Sequence, residues 1–292
     1  MKVHLNGELV EAEQARISPF DAGYLYGDGI FDTLRCYRGF PYLLSEHVER
    51  LAREAELLQI PFDPSPGAWN HLLRELLEAN ELLEVDARVR VQISRGGGPD
   101  TNPVDSDPEE IRPAVFLVAR AVSERNHRLQ EEGVGVLTMQ SAFARGNFPQ
   151  IKSLNYLPSI MALRFARAQG YEEAILLNRQ NKVLEGATSN VFLLRGGILR
   201  TPSPRLGLLP GVTRARVMEL ARELGLKVEE AASELRDLVT ADEVFLTGSV
   251  KEILPVVAVD GSAIAGGQVG SWTRKLIEAY HEDVEKARSA VV

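Results

Sequence analysis

The chain has 292 residues, 45% of them hydrophobic, and a formal net charge of -8. That length exceeds the usual size of one domain and predicts two, each with its own core. Acidic and basic side chains are interleaved, so the chain offers no basic footprint for nucleic acid or an anionic membrane, and a small-molecule substrate is expected. No apolar run approaches the roughly 20 residues of a membrane span, and "MKVHLNGELVEAEQ" lacks the apolar core of a signal peptide. The single cysteine, Cys36, excludes an intrachain disulfide, which predicts a reducing, cytoplasmic setting and a buried, inert thiol.

In chain order, "KVHLNGELV" reads as a hairpin turning at Asn6-Gly7, and "GIFDTLRCYRGFPYLL" as a second turning at Arg38-Gly39. "SEHVERLAREAELLQI" follows as a helix capped by Ser45, with Val48, Leu51, Ala55 and Leu58 on one face. "PGAWNHLLRELLEANEL" is another amphipathic helix. "ARVRVQIS" and "AVFLVARAV" are strands joined by "RGGGPDTNPVDSDPEEIRP", a loop whose length suggests function or motion. "VSERNHRLQEEG" reads as a break between domains.

Beyond it come the strands "GVGVLTMQSA", "EAILLN", "KVLEGAT", "NVFLLRGG" and "GILRT", with a helix from about Pro158 to Gln169 between the first two. "TRARVMELARELG" is a helix, "VTADEVFLTGSV" a strand and "VGSWTRKLIEAYHEDVEKA" a closing helix. The predicted fold is α+β: a smaller N-terminal α/β domain over 1–120, an interdomain segment over 121–132, and a larger domain over 133–292 with mainly antiparallel strands.

The candidate chemistry begins with Lys152, which stands among Ile151, Leu154 and Tyr156 in "IKSLNY". An apolar setting disfavours the ammonium form and leaves an amine able to attack a carbonyl, although a lysine snorkelling from a strand edge fits the same pattern. Pyridoxal phosphate requires such a lysine, an acid for its ring nitrogen and donors for its phosphate. Glu185, following Val183 and Leu184 on an apolar strand, is the candidate acid. In "GLLPGVTRARV", a helix start presents the N–H groups of Val212 and Thr213 to an anion, or the Thr213 hydroxyl simply caps the helix. Thr247-Gly248-Ser249 is a second polar turn. Arg50 is a candidate fixed cation beside Val48 and Leu51. "SRGGGPD" lacks the lysine and the following helix of a phosphate loop. The histidines are scattered, so no metal site and no Ser-His-Asp arrangement is expected.

In order, "YGDGIFDTLR", "HVERL", "IKSLNYL", "EGATSNVF", "GLLPGVTR" and "EVFLTGSVKEILPV" resemble the motifs of the fold-type IV pyridoxal-phosphate enzymes over nearly the whole chain. That family includes branched-chain aminotransferases, D-amino-acid aminotransferases and aminodeoxychorismate lyases. The resemblance implies that Lys152 carries the cofactor, Glu185 partners the pyridinium nitrogen and Tyr156 bonds the phenolic oxygen. It implies that Arg50, Val212, Thr213 and Ser249 hold the phosphate, and that the Ser249-Val250 backbone meets the substrate carboxylate. It further implies a homodimer with a loop contributed by the neighbour.

Tyr26, Phe31, Arg35 and "LTGSV" match pocket positions of the branched-chain enzymes, and Arg90 lies near their arginine for the distal carboxylate of glutamate. Phe31 and "GPDTN" replace the tyrosine and the arginine-histidine trap of the D-amino-acid enzymes, so D-specificity is not implied. Thr33, in place of a glycine, gives "F-x-T-x-R", which with "ISRGGG" and "SNVF" is closer to the lyases; those usually carry asparagine where Gly248 stands. The expected activity is an aminotransferase acting between a branched-chain-like amino acid and a 2-oxo acid such as 2-oxoglutarate. The alternative is 4-amino-4-deoxychorismate lyase, releasing pyruvate and 4-aminobenzoate. A non-catalytic binding protein on the same scaffold is opposed by the complete set of lysine, glutamate, tyrosine and arginine.

Overall fold

The computed structural model describes residues 1–100, 102, 104, 107, 111–140 and 150–290, and the chain divides into two compact units. The first comprises Met1–Val122 together with Ile151–Asn155, and the second Ser123–Gln150 and Tyr156–Val292.

The first unit is built on strands β1 (Lys2–Leu5), β2 (Glu8–Glu11), β3 (Gly29–Tyr37), β4 (Phe40–Pro41), β5 (Ala87–Ser94) and β6 (Ala114–Ala121), in the order β2-β1-β6-β5-β3-β4. Every pairing is antiparallel. Both predicted hairpins are present. Asn6 (φ 52) and Gly7 (φ 93), like Arg38 (φ 47) and Gly39 (φ 79), take the left-handed backbone that a two-residue turn needs to match strand twist.

Helices α1 (Ala22–Tyr26), α2 (Leu44–Leu57) and α3 (Pro66–Glu78) complete the unit. Ser45 does not cap α2 but lies in its first turn. The cap position is Leu43, left-handed at φ 55 and without a side-chain bond. Alternation on the sheet sends Ile30, Leu34, Val89, Val91, Ile93 and Leu117 into one core with Val48, Leu51 and Ala55 of α2 and Leu73, Leu76 and Leu77 of α3. Cys36 is fully buried there, and burial, helped by Asp86, pushes its thiol up to about 12. Residues 151–155 group with this unit because they pair with the leading end of β3. Phe31 N donates to Lys152 O at 2.9 Å and Leu154 N to Gly29 O at 3.0 Å.

In the second unit, part of the segment read as an interdomain break is helix α4 (Arg125–Glu132). The strands are β7 (Val134–Gln140), β8 (Glu173–Leu177), β9 (Val183–Gly186), β10 (Asn190–Arg195), β11 (Ile198–Thr201), β12 (Lys227–Glu230), β13 (Glu243–Gly248), β14 (Glu252–Val259) and β15 (Ser262–Ala263). Their order is β12-β11-β10-β13-β14-β7-β8-β9, with β15 beside β14. The sheet is mixed: β11/β12, β14/β7 and β7/β8 are parallel and the other pairs antiparallel. Helices α5 (Leu157–Ala168), α6 (Val212–Glu223), α7 (Leu235–Val239) and α8 (Ser271–Ser289) complete it.

Neither β12 nor α7 is legible in the sequence, since four half-exposed residues "KVEE" and a five-residue helix are too short to show a period. One core holds Val136, Ile175, Val191, Leu193, Leu246 and Val256, while Phe192 and Phe245 stack across β10 and β13 with centroids 4.9 Å apart. No helix among the described residues is long and apolar enough to cross a membrane. Parts of the loop between β5 and β6, including Thr101 of "GPDTN", and Phe148 and Pro149 ahead of Lys152, lie outside the described residues.

Candidate active site

In the first unit, the two faces of β3 have different chemistry. Asp32 points with the core residues toward α2, where it is fully buried and meets Arg50 and His47. Arg50 Nε donates to Asp32 Oδ2 at 3.1 Å, Arg50 Nη2 bonds Oδ1, and His47 Nδ1 lies 2.9 Å from Oδ2. Burial alone would raise the Asp32 carboxyl, but Arg50, then His47 and Lys152, outweigh it and hold the group well below the usual carboxylate range. Arg50 is therefore not a solvent-facing arginine. It is 5% exposed, and Nη1 makes no hydrogen bond among the described residues.

Glu54, one helical turn beyond Arg50, is 1% exposed and accepts the backbone N–H of Lys152 at 3.0 Å. Burial pushes its carboxyl up to about 7 against the pull of Arg50 and Lys152. Lys152 thus has its N–H held by Glu54 and its carbonyl held by Phe31, and its Nζ lies 4.6 Å from the centre of the Phe31 ring. The apolar setting expected from sequence is only half right. Ile151 is buried, but Lys152 is half-buried and shares its surroundings with Asp32, Arg50 and Glu54.

The other face of β3 carries Phe31, Thr33 and Arg35, with Arg90 of β5 opposite Thr33. Arg90 lies with Cζ 3.8 Å from the Phe31 ring centre and donates to Gln92 Oε1 at 3.0 Å. Arg35 is buried, paired with Asp86 at 2.7 Å and set against Tyr37. Tyr26, at the end of α1, is exposed. A cavity of about 660 Å³ opens in this unit, lined by Tyr24, Arg90, Gln92, Ser94, Phe116 and Leu154 among others. Of the residues predicted for the substrate, Arg90 lines it and Tyr26, Phe31, Thr33 and Arg35 do not.

In the second unit, Glu185 is not an exposed strand end. It lies buried on β9, and its Oε2 accepts the N–H of Leu209 at 3.2 Å. Asn190 of β10 donates to Leu209 O at 2.8 Å, so two side chains tie the "GLLPG" segment to the sheet. A Cβ at Gly211 would meet Asn190 Oδ1, so the Asn190 amide would have to shift from its bond to Leu209. Gly211 is also the N-cap of α6 and offers no side chain, while Thr213 makes no capping bond, which leaves the first-turn N–H groups of Val212 and Thr213 without a side-chain cap. The positive end of α6 adds to their pull on an anion. Tyr156, at the cap of α5, donates to Ala187 O at 3.4 Å, on the turn that follows Glu185.

The turn bearing Ser249 and Val250 is held from behind. Asn126 and Gln130 of α4 donate to the carbonyls of Val250 (3.2 Å), Lys251 (3.3 Å) and Ile253 (3.2 Å). Lys251 Nζ reaches Glu173 Oε2 at 2.6 Å and Thr188 Oγ1 at 3.0 Å, which links this turn to the one after Glu185. The adjoining Thr247 hydroxyl is buried without a hydrogen-bond partner among the described residues. Sequence reasoning passed over Asp32, Glu54, Asn190 and Lys251. For the first two a signal existed: His47, Arg50 and Glu54 recur on the apolar stripe of α2, where charged residues require partners. Among the described residues, no group of three or more His, Cys, Asp or Glu side chains is placed to hold a metal ion.

Comparison with known proteins gives the family. Residues 29–259 match the family described as amino-transferase class IV. The chain is 37% identical over 285 residues to a Methanocaldococcus jannaschii protein provisionally named as a branched-chain-amino-acid aminotransferase, covering 97% of this chain and 96% of that one. It is 36% identical over 283 residues to the aminodeoxychorismate lyase of Bacillus subtilis strain 168, covering 97% and 94%. Its fold matches the crystal structure of the T.th. branched-chain amino acid aminotransferase complexed with N-(5'-phosphopyridoxyl)-L-glutamate, with a TM-score of 0.83, 29% identity, and coverage of 96% and 93%. The α+β architecture is that of the fold-type IV enzymes, and the chain belongs to the class IV amino-transferase family.

Proposed function

We propose that this chain is a pyridoxal-phosphate-dependent aminotransferase that moves an amino group between an amino acid, most suitably branched-chain-like, and a 2-oxo acid such as 2-oxoglutarate. The observation that carries this reading is Lys152 itself. Its peptide is clamped at both N–H and C=O, and its amine rests at the Phe31 ring, in a chain of the class IV family. A phosphopyridoxyl group is present in the related T.th. complex, and the residues of this chain fit one. The N–H groups of Val212 and Thr213 lack a side-chain cap, the Thr247 hydroxyl beside Gly248-Ser249 is buried and unpartnered among the described residues, and Asp32 fixes Arg50 while leaving Nη1 without a bond there.

When bound, the cofactor supplies an aldehyde carbon and a ring that withdraws electron density from the substrate. The protein supplies the rest. Lys152 offers the amine and acts as the base at the substrate α-carbon. Glu185, oriented by the Leu209 N–H, keeps a proton on the ring nitrogen. Tyr156 would turn its hydroxyl from Ala187 O, 3.4 Å away, to donate to the phenolic oxygen. Arg50, Val212, Thr213 and Ser249 hold the phosphate, and the Ser249-Val250 backbone meets the substrate carboxylate. Arg90, which lines the cavity, with Phe31 and Thr33 on the same face of the sheet, would meet the substrate side chain, while Tyr26 and Arg35 are pocket positions by resemblance alone, and two copies of the chain would assemble as a homodimer.

One observation favours a second reading, 4-amino-4-deoxychorismate lyase. Thr33 places a hydroxyl opposite Arg90 on the sheet, and the Bacillus subtilis relative is a lyase. Incubation with leucine plus 2-oxoglutarate, and separately with aminodeoxychorismate, decides between them. The aminotransferase reading predicts glutamate in the first mixture. Pyruvate and 4-aminobenzoate in the second, without glutamate in the first, would replace it with the lyase.

A further inference from the structure

Glu54 is a buried carboxyl that the roles assigned above do not use. One oxygen, Oε2, accepts the Lys152 N–H at 3.0 Å. The other, Oε1, is shielded from solvent and has no hydrogen-bond partner among the described residues. A carboxylate bonded on one side only is poorly compensated for lost hydration, so burial favours the neutral acid.

The charged groups around it are Arg50 from its own helix, Asp32 from β3 and Lys152 from the paired segment. Arg50 and Lys152 favour ionisation, while Asp32 sides with burial. The result is a carboxyl raised to about 7, which exchanges its proton near neutral pH. Asp32 contributes a fixed charge, because Arg50 and His47 keep it ionised. Glu54 thus contributes to the cluster a charge that changes in that range.

We propose that Glu54 is a positioning residue for Lys152: it anchors the lysine through its backbone N–H and, by taking up or releasing a proton, sets the electrostatic field in which the ε-amine titrates. The functional meaning rests on the reading of Lys152 as the cofactor-bearing lysine. With Glu54 ionised, a nearby negative charge stabilises the Lys152 ammonium. With Glu54 protonated, that support is gone and the free amine is favoured. The two groups then titrate as a coupled pair rather than independently.

Competitive acetylation of the full-length, cofactor-free chain with trace acetic anhydride tests this, with the label at each lysine read by peptide mass spectrometry. The exposed Lys227 serves as internal standard. Wild-type Lys152 should show an inflection near pH 7, where Glu54 titrates, in addition to its own titration. Glu54→Gln keeps an oxygen for the Lys152 N–H but cannot ionise. It should lose the inflection and raise the neutral-pH reactivity of Lys152 about 3- to 10-fold, equivalent to up to about one pH unit on the amine.

An unchanged Lys152 profile in Glu54→Gln would overturn the proposal, even if the variant melted at a lower temperature, because a purely structural role moves stability and not the profile. Should Glu54→Gln fail to fold, the wild-type curve decides, and a single-step profile contradicts the coupling. The assay needs no cofactor, so its failure is separate from failure of the cofactor assignment, which borohydride mapping reports on its own.

Discussion

Replacing Asp32 should damage the first unit more than any conservative change in its apolar core. Its carboxylate takes two bonds from Arg50, one contact from His47 and the backbone N–H of Thr33 at 2.6 Å. Asp32→Ala leaves a guanidinium that is 5% exposed with no carboxylate bonded to it. Removing one partner of a buried ion pair costs about 3–5 kcal/mol, and charged hydrogen bonds of about 1.5–3 kcal/mol each set the same scale for the two Arg50 contacts. The loss is therefore expected near 4 kcal/mol, a fall of about 2 M in the urea midpoint. Trp69, buried on α3, reports this unit alone once Trp272 of the second unit is replaced by Phe.

The sign of the pH dependence follows from the lowered carboxyl. Asp32 contributes fully above its ordinary value of 3.8 and loses its contribution as pH falls toward its lower folded value. Wild-type stability should decline below about pH 4, and Asp32→Ala should lack that part of the decline. A midpoint change worth less than about 1 kcal/mol, with the acid decline intact, would refute the claim that Asp32 is the counter-ion of Arg50.

Three further outcomes are expected. Glu185→Gln should retain cofactor, read by absorbance after gel filtration, while slowing turnover about 10²-fold or more; near-normal turnover would make Glu185 a strand residue only. Lys251→Met should leave the fully buried Glu173 without its cation and destabilise the second unit by about 3 kcal/mol in urea unfolding followed by Trp272 in a Trp69→Phe background, at the low end of the range for broken buried pairs because Lys251 keeps some solvent contact. Raising Glu54 from 4.5 to about 7 amounts to about 3 kcal/mol of stability that is complete below 4.5 and lost as pH rises through 7. Denaturant midpoints measured between about pH 5 and 9 should therefore fall for the wild type and stay flatter for Glu54→Gln.

Local signals are legible where one stretch of chain decides the outcome. Asn6-Gly7 and Arg38-Gly39 announce hairpins because a two-residue turn needs positive φ, and the stripe of Val48, Leu51 and Ala55 announces α2. The cap of α2 departs from the Ser45 reading, since Leu43, just after β4, enters the helix in a left-handed conformation and Ser45 is left inside. Helix α4 reads as a break because "RNHRLQEE" buries only Gln130 and so shows no apolar stripe. Its burial is explained by the turn it supports on a strand more than a hundred residues later.

The same limit applies to the chemistry. The motif around Lys152 shows its type but not that Glu54 and Asp32, some 100 residues earlier in the chain, supply its charged surroundings. Arg50 beside apolar neighbours suggests a held cation, whereas its bond to Asp32 depends on strand register, which no single helix reveals.

The central claim is that Lys152 carries the cofactor, and its most direct measurement is borohydride reduction of the pyridoxal-phosphate-loaded protein followed by peptide mapping. Reduction converts the carbon–nitrogen double bond to a stable secondary amine, so the label stays on the lysine that formed it. The account predicts the phosphopyridoxyl mass on the peptide containing Lys152 and none on Lys152→Ala. A label on another lysine, or equal labelling of Lys152→Ala, would contradict it.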